Sequence, residues 1–112
     1  MATSITLDTG AGTGASSVLT GDDVKGLIKV TTGLTPAASA VIFAFNFGRG
    51  FARVPLIQVV PANLVTAILG AAMTYVDNAD TTTALWKMRS PATPLTALIE
   101  FAWYYHLIGL VP

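Results

Sequence analysis

The sequence predicts an all-β fold, an antiparallel β-sandwich or jelly-roll of about seven or eight short strands. Three observations carry that expectation. The 112 residues include one Glu, one Gln, three Lys and three Arg, too few to line the wet faces of amphipathic helices. Thr, Val, Ala and Gly dominate instead, with Gly and Pro at short intervals, which suits strands joined by tight turns. Two aromatic stretches also alternate with the period of two that a strand requires.

Taken in order, residues 1–14 are expected as an extended N-terminal arm and residues 15–112 as the sandwich. Ser4–Leu7 could form a strand, but residues 8–21 hold no large side chain before Val18. Such a Thr/Gly/Ala/Ser stretch is flexible alone. It either stays mobile or docks on a neighbouring subunit. Strands are then expected over 16–20 and 26–32. In Val41–Phe47 the odd positions are Val and three Phe, the mark of one heavily buried face. Further strands are expected over 55–60, 72–76 and 82–88. Residues 62–70 fit either a short helical turn or a loop crossing one end of the sandwich. In Ile99–Leu107 the odd positions are Ile, Phe, Trp, Tyr and Leu, while the even ones are Glu, Ala, Tyr and His. The intervening Gly21-Asp22-Asp23, Thr35-Pro36, Phe47–Gly50, Asp77–Asp80 and Ser90–Pro94 are turn text.

Composition also bounds function. Six basic and six acidic residues give a formal net charge of zero, which argues against phosphate-driven binding of nucleic acid. The absence of cysteine excludes disulfides, thiolate metal sites and Cys nucleophiles. The start MATSITLDTGAGTG lacks the basic and apolar segments of a secretory signal. The apolar window Val54–Met73 carries two prolines, Gln58 and Asn63, a poor membrane-spanning helix. A soluble chain is expected.

Catalytic constellations are missing from the pattern. His106 is the only histidine, so no His pair can bind zinc and a Ser-His-Asp triad would have to use it. A structural histidine at an interface is the better reading. Glu100 lies about 20 Å along the same strand. Asp77, Asn78 and Asp80 lack the bidentate Glu of a calcium loop and read as a turn capped by its own side chains. Gly10–Gly14 lacks the Gly-Lys-Ser/Thr ending of a phosphate loop. No catalytic residue, metal or cofactor is expected.

What the composition does imply is assembly. Charged residues are 11% of the chain, against about 25% in ordinary soluble domains, so much of the surface must be apolar. Ile42, Tyr104, His106 and Ile108 fall opposite the faces assigned to the core. They would form a contact patch unless a loop of the same chain covers them. Arg49 and Arg53 read as turn charges or as ion pairs to a neighbouring subunit. Trp86, with Trp103, Tyr104 and Tyr105, is either core or an aromatic platform; where Trp86 and Tyr104 point separates a subunit seam from a sugar-binding surface.

The order of segments resembles a known family. Gly12–Val18 leads into Thr20-Gly21-Asp22-Asp23, then Gly26–Ala37, an aromatic strand ending Phe45-Asn46-Phe47, Ala52–Asn63, and a closing strand with Phe101–Tyr105. This is similar to the small all-β domain of tailed-bacteriophage virion proteins, found in tail fibres and in short capsid-attached proteins. The resemblance implies a β-sandwich that forms a homotrimer on the virion. A chain this short is more similar to a capsid decoration (cement) protein than to a fibre. Its partners would be itself and the major capsid protein, with neither nucleic acid nor membrane. Its place would be the capsid surface, after assembly in the host cytoplasm. The alternative is a tail-tip module binding host glycan on exposed aromatics.

Overall fold

The computed structural model describes residues 3–69 and 73–108. It contains eight strands: β1 (Ser4–Leu7), β2 (Ser16–Gly21), β3 (Lys25–Thr31), β4 (Val41–Asn46), β5 (Leu56–Pro61), β6 (Tyr75–Val76), β7 (Leu85–Arg89) and β8 (Glu100–Ile108). One short helix, α1 (Leu64–Ala67), lies within the stretch expected as a helical turn or loop. The strand expected over 72–76 is described only from residue 73 onward, and there it pairs at Tyr75 and Val76.

The strands make two antiparallel sheets. Sheet I has the order β1-β4-β7-β6 and sheet II the order β2-β3-β8-β5. They stack as a sandwich because each contributes one apolar face. Phe43, Phe45, Trp86 and Met88 come from sheet I; Ile28, Val30, Phe101, Trp103, Tyr105 and Leu107 come from sheet II. Rings meet across the gap: Phe43 lies 5.7 Å from Trp103, and Phe45 4.8 Å from Tyr105 in edge-to-face contact.

The N-terminal segment corrects the expectation of an arm. Its extended part, Ser4–Leu7, is an edge strand of the domain's own sheet, with Ile5 opposite Phe45 and Leu7 opposite Phe43. Behind it a 3-10 turn, Thr9–Ala11, buries Gly10 and Ala11 in the core. The boundary at residue 14 therefore separates nothing. Large side chains are not needed here: Gly33 approaches Thr13 so closely that a Cβ on it would stand 1.9 Å from the Thr13 oxygen. Small residues let two backbones touch.

Ile42 is a second correction. It was expected on the face away from the core, yet it is fully buried. The β4–β7 register shifts between Val41 and Phe43, a bulge that lets consecutive residues both turn inward. The Asp8 N–H donates to the Ile42 carbonyl at 2.9 Å, holding the N-terminal turn over this part of β4.

Side-chain polar groups tie the loops. Thr32 Oγ1 donates to the Thr96 carbonyl at 2.6 Å and accepts from Ile99 N at 3.0 Å, fixing the turn that starts β8. Asp23 accepts from Thr3 Oγ1 and from the N–H groups of Gly48 and Arg49, joining the N-terminus, the β2–β3 turn and the β4–β5 loop.

At the β2–β3 turn, Val24 and Lys25 N–H groups donate to the Asp22 carboxylate and hold its pKa below the ordinary value. The buried Tyr105 hydroxyl donates to the Asp22 carbonyl. Space for it exists because residues 21 and 26 are glycines; a Cβ on Gly26 would meet it at 2.6 Å. Burial, then the charges of Asp22 and Asp23, push the Tyr105 pKa up from 10.0 to about 12. An unfolded chain ionises this phenol first, so stability is intact below about pH 10 and falls as pH rises toward 12. Tyr105→Phe should cost about 1 kcal/mol at neutral pH and flatten that alkaline decline. Urea unfolding of both proteins from pH 7 to 11.5 measures this; parallel declines would contradict it.

Candidate interaction surface

The two outward faces differ in kind, and the difference follows from pairing register. On sheet I, Asn46 donates from Nδ2 to Thr6 Oγ1 at 3.0 Å, and Ser4 and Thr6 extend the polar row. Lys87 and Arg89 stand on the same face. Arg89 makes a two-pronged ion pair with Asp80, which lowers the Asp80 pKa and raises that of Arg89. This face is mostly polar, with Ala44, Leu85 and Tyr75 as its apolar members.

Sheet II presents the opposite. Register puts Tyr104 between Leu27 of β3 and Val60 of β5, with Thr20 of β2 next to Leu27. Lys29 separates Val18 from Ala102, and Leu56 lies beside Ile108. Tyr104 is 53% exposed, Val18 58%, Leu56 67%, Val60 44% and Ile108 43%. Polar members of this face include Lys25, Lys29, Thr20, Thr31, Glu100, His106 and Gln58, interleaved with the apolar ones. Apolar groups this large, set side by side on a sheet, mark a contact surface.

α1 completes the face beside the first half of β8. Asn63 caps it, accepting from Thr66 N at 3.0 Å while donating to the Glu100 carbonyl at 3.1 Å. Ala102 N donates to Thr66 Oγ1 at 2.8 Å. The helix thus takes the place β5 would occupy, and Leu64 and Ile68 project into solvent.

Of the seven residues singled out from sequence, the structure brings Tyr104, His106 and Ile108 together on the outer row of β8. Arg49 and Arg53 are exposed on the β4–β5 loop and are not part of that row. Ile42 and Trp86 are enclosed by the chain itself and cannot touch a neighbour. Trp86 instead stacks on Phe45 at 5.1 Å, because β7 alternates like β4 and places it inward. Val18, Leu27, Leu56 and Val60 were missed. Both faces of β5 carry large apolar residues, Leu56 and Val60 on one side and Ile57 and Val59 on the other, and Gln58 alone marks the Leu56 side as the wet one; pairing with β8 places that side on the outer face.

The concavities offer little chemistry. One is an open depression of about 740 Å³ lined by Leu7–Thr9, Gly12–Ala15, Thr35 and Ala37. Asp8 is its sole ionisable group. An apolar groove of about 320 Å³ between α1 and the loop before β8 has none. Asp77, expected to cap its own turn, accepts from Ala79 N at 2.9 Å. Among the described residues no three His, Asp or Glu side chains come together as a metal site, and no helix is long and apolar enough to cross a membrane.

No family model matches this chain, and neither a curated protein nor a solved structure does.

Proposed function

We propose that this chain is a non-enzymatic structural protein of a tailed-phage virion, a capsid decoration protein that works with the outer face of sheet II covered by neighbours. The observation that carries the reading is the outer face of sheet II, where Tyr104, Leu27 and Val60 sit side by side and Leu56 lies beside Ile108, whereas the outer face of sheet I is mostly polar, with Leu85 and Tyr75 as its large apolar groups. Neighbours in such a coat are further copies of this chain and the major capsid protein. The mechanism is burial: capsid subunits bridged by an apolar face separate only by re-exposing it.

Glycan binding at a tail tip is less well supported. Both tryptophans are buried, and the exposed tyrosines, Tyr75 and Tyr104, lie on different sheets. A stacking platform needs rings side by side on one open surface.

The experiment is imaging of virions that carry the chain, with wild type and with Tyr104→Asp. Density on the head for wild type, reduced at least about tenfold in the variant, is the expected result. Density at the tail tip overturns the capsid reading.

A further inference from the structure

The zero net charge conceals an unequal use of the charged groups. Asp8, Asp22, Asp23 and Asp77 all accept from backbone N–H groups of the chain, and Asp80 accepts from Arg89. Of the six acids, Glu100 alone has no such donor among the described residues. The cations behave in the opposite way. Arg89 is the one ion-paired among the described residues, and the side chains of Lys25, Lys29, Arg49, Arg53 and Lys87 donate to no group there. A partner can therefore offer acceptors to the cations, whereas the carboxylates already have their donors.

Four of those five cations gather at one face. Pairing register lays an apolar band, Leu27, Tyr104 and Val60, across the outer side of sheet II. Lys25, His106 and Gln58 form the row on one side of the band, and Lys29 and Ala102 the row on the other. The two lysines thus bracket the band, about 13 Å apart along β3. Arg49 and Arg53 extend the Lys25 side: Asp23 ties their loop to the β2–β3 turn, and the loop enters β5 at Leu56, opposite Ile108. The acids at that end, Asp22 and Asp23, are the ones held by N–H groups of the turn and the loop. Lys87 stands apart, on sheet I.

We infer that a different protein covers the outer face of sheet II, with a contact surface made of an apolar ridge flanked by carboxylates. The ridge lies on Leu27, Tyr104 and Val60, and the carboxylates meet Lys25 and Lys29. A second copy of this chain fits poorly, because it brings two more lysines to the face and only Glu100 to receive them. Nucleic acid fits poorly as well: phosphates suit the lysines, but a sugar-phosphate backbone offers the band nothing apolar to bury against. Opposite charges steer the encounter and fix its register, while the band supplies the burial.

The inference deepens the proposed function and rests on its reading of this face as a covered one. Carbodiimide coupling joins amines to the carboxylates they touch. Applied to purified virions, it should link Lys25 or Lys29 to Asp or Glu of another protein, with the sites read by peptide mass spectrometry. The double variant Lys25→Glu, Lys29→Glu should lower occupancy on virions at least about tenfold, while Lys87→Glu leaves it unchanged. Thermal melts establish that each variant is folded. The inference is overturned if neither lysine is linked, if the links run only to a second copy, if nuclease releases the chain, or if the double variant binds fully. A chain absent from virions removes the capsid reading alone, and the same coupling on its complexes from the cells that make it then decides the chemistry of the partner.

Discussion

Phe45→Ala should lower the unfolding free energy by about 3–5 kcal/mol, the range for deleting a large core aromatic. Phe45 is fully enclosed and touches three rings: Trp86 stacked at 5.1 Å, Tyr105 edge-on at 4.8 Å and Phe47 at 5.7 Å. Two of these belong to its own sheet or that sheet's continuation, and the third belongs to the facing sheet. Truncation thus opens a void at the junction of both layers, where neither can relax without moving the other. Against a total stability of about 5–15 kcal/mol for such a domain, the loss is a large fraction. Phe45→Leu keeps most of the volume and should cost under about 1.5 kcal/mol. Urea titration followed by tryptophan emission measures both, since Trp86 lies against the site. A cost below about 1 kcal/mol for the alanine variant would contradict the enclosed position.

Removing residues 1–14 should abolish cooperative folding. β1 would be lost, with Ile5 and Leu7 packed on the core, and so would the buried Ala11. Five backbone bonds outside the β1 ladder would go too: Asp8 to Ile42, Ala37 to Thr9, Gly33 to Ala11, and the reciprocal pair between Thr13 and Leu34. Each buried partner left unpaired costs about 1–3 kcal/mol, and β4 would become an unshielded apolar edge. Far-UV circular dichroism and a thermal melt of the truncated chain test this. A melt within a few degrees of the full-length protein would mean that the segment is an appendage after all.

These two cases mark what the sequence could convey. Phe45 was legible because β8, and β4 beyond its bulge at Ile42, alternate cleanly, Phe43-Phe45-Phe47 and Phe101-Trp103-Tyr105 all pointing to one interior. The N-terminal segment was misread because its contribution is backbone contact. Gly10, Ala11 and Gly33 matter through how little they occupy, and small residues look the same in a flexible tether as in a tight junction. Trp86 stayed open between core and platform because β7 has Leu85, Lys87 and Arg89 on one face and only Trp86 and Met88 on the other, too short a pattern to exclude an exposed ring. The contact face was half legible. β8 declared Tyr104, His106 and Ile108, but Val18, Leu27, Leu56 and Val60 join them only through long-range registers that no local window contains.

The strand order has a kinetic consequence. β8 is an inner strand of sheet II, hydrogen-bonded on one side to β3 and on the other to β5, yet its residues 100–108 follow the other seven described strands in the chain. On a ribosome, the β2–β3 hairpin must wait with one flank open until β8 emerges. Closing such distant pairs is slow, on the order of milliseconds to seconds. Until β8 pairs, β3 and β5 each keep an open flank, and that interval is when the chain is most exposed to edge-to-edge aggregation.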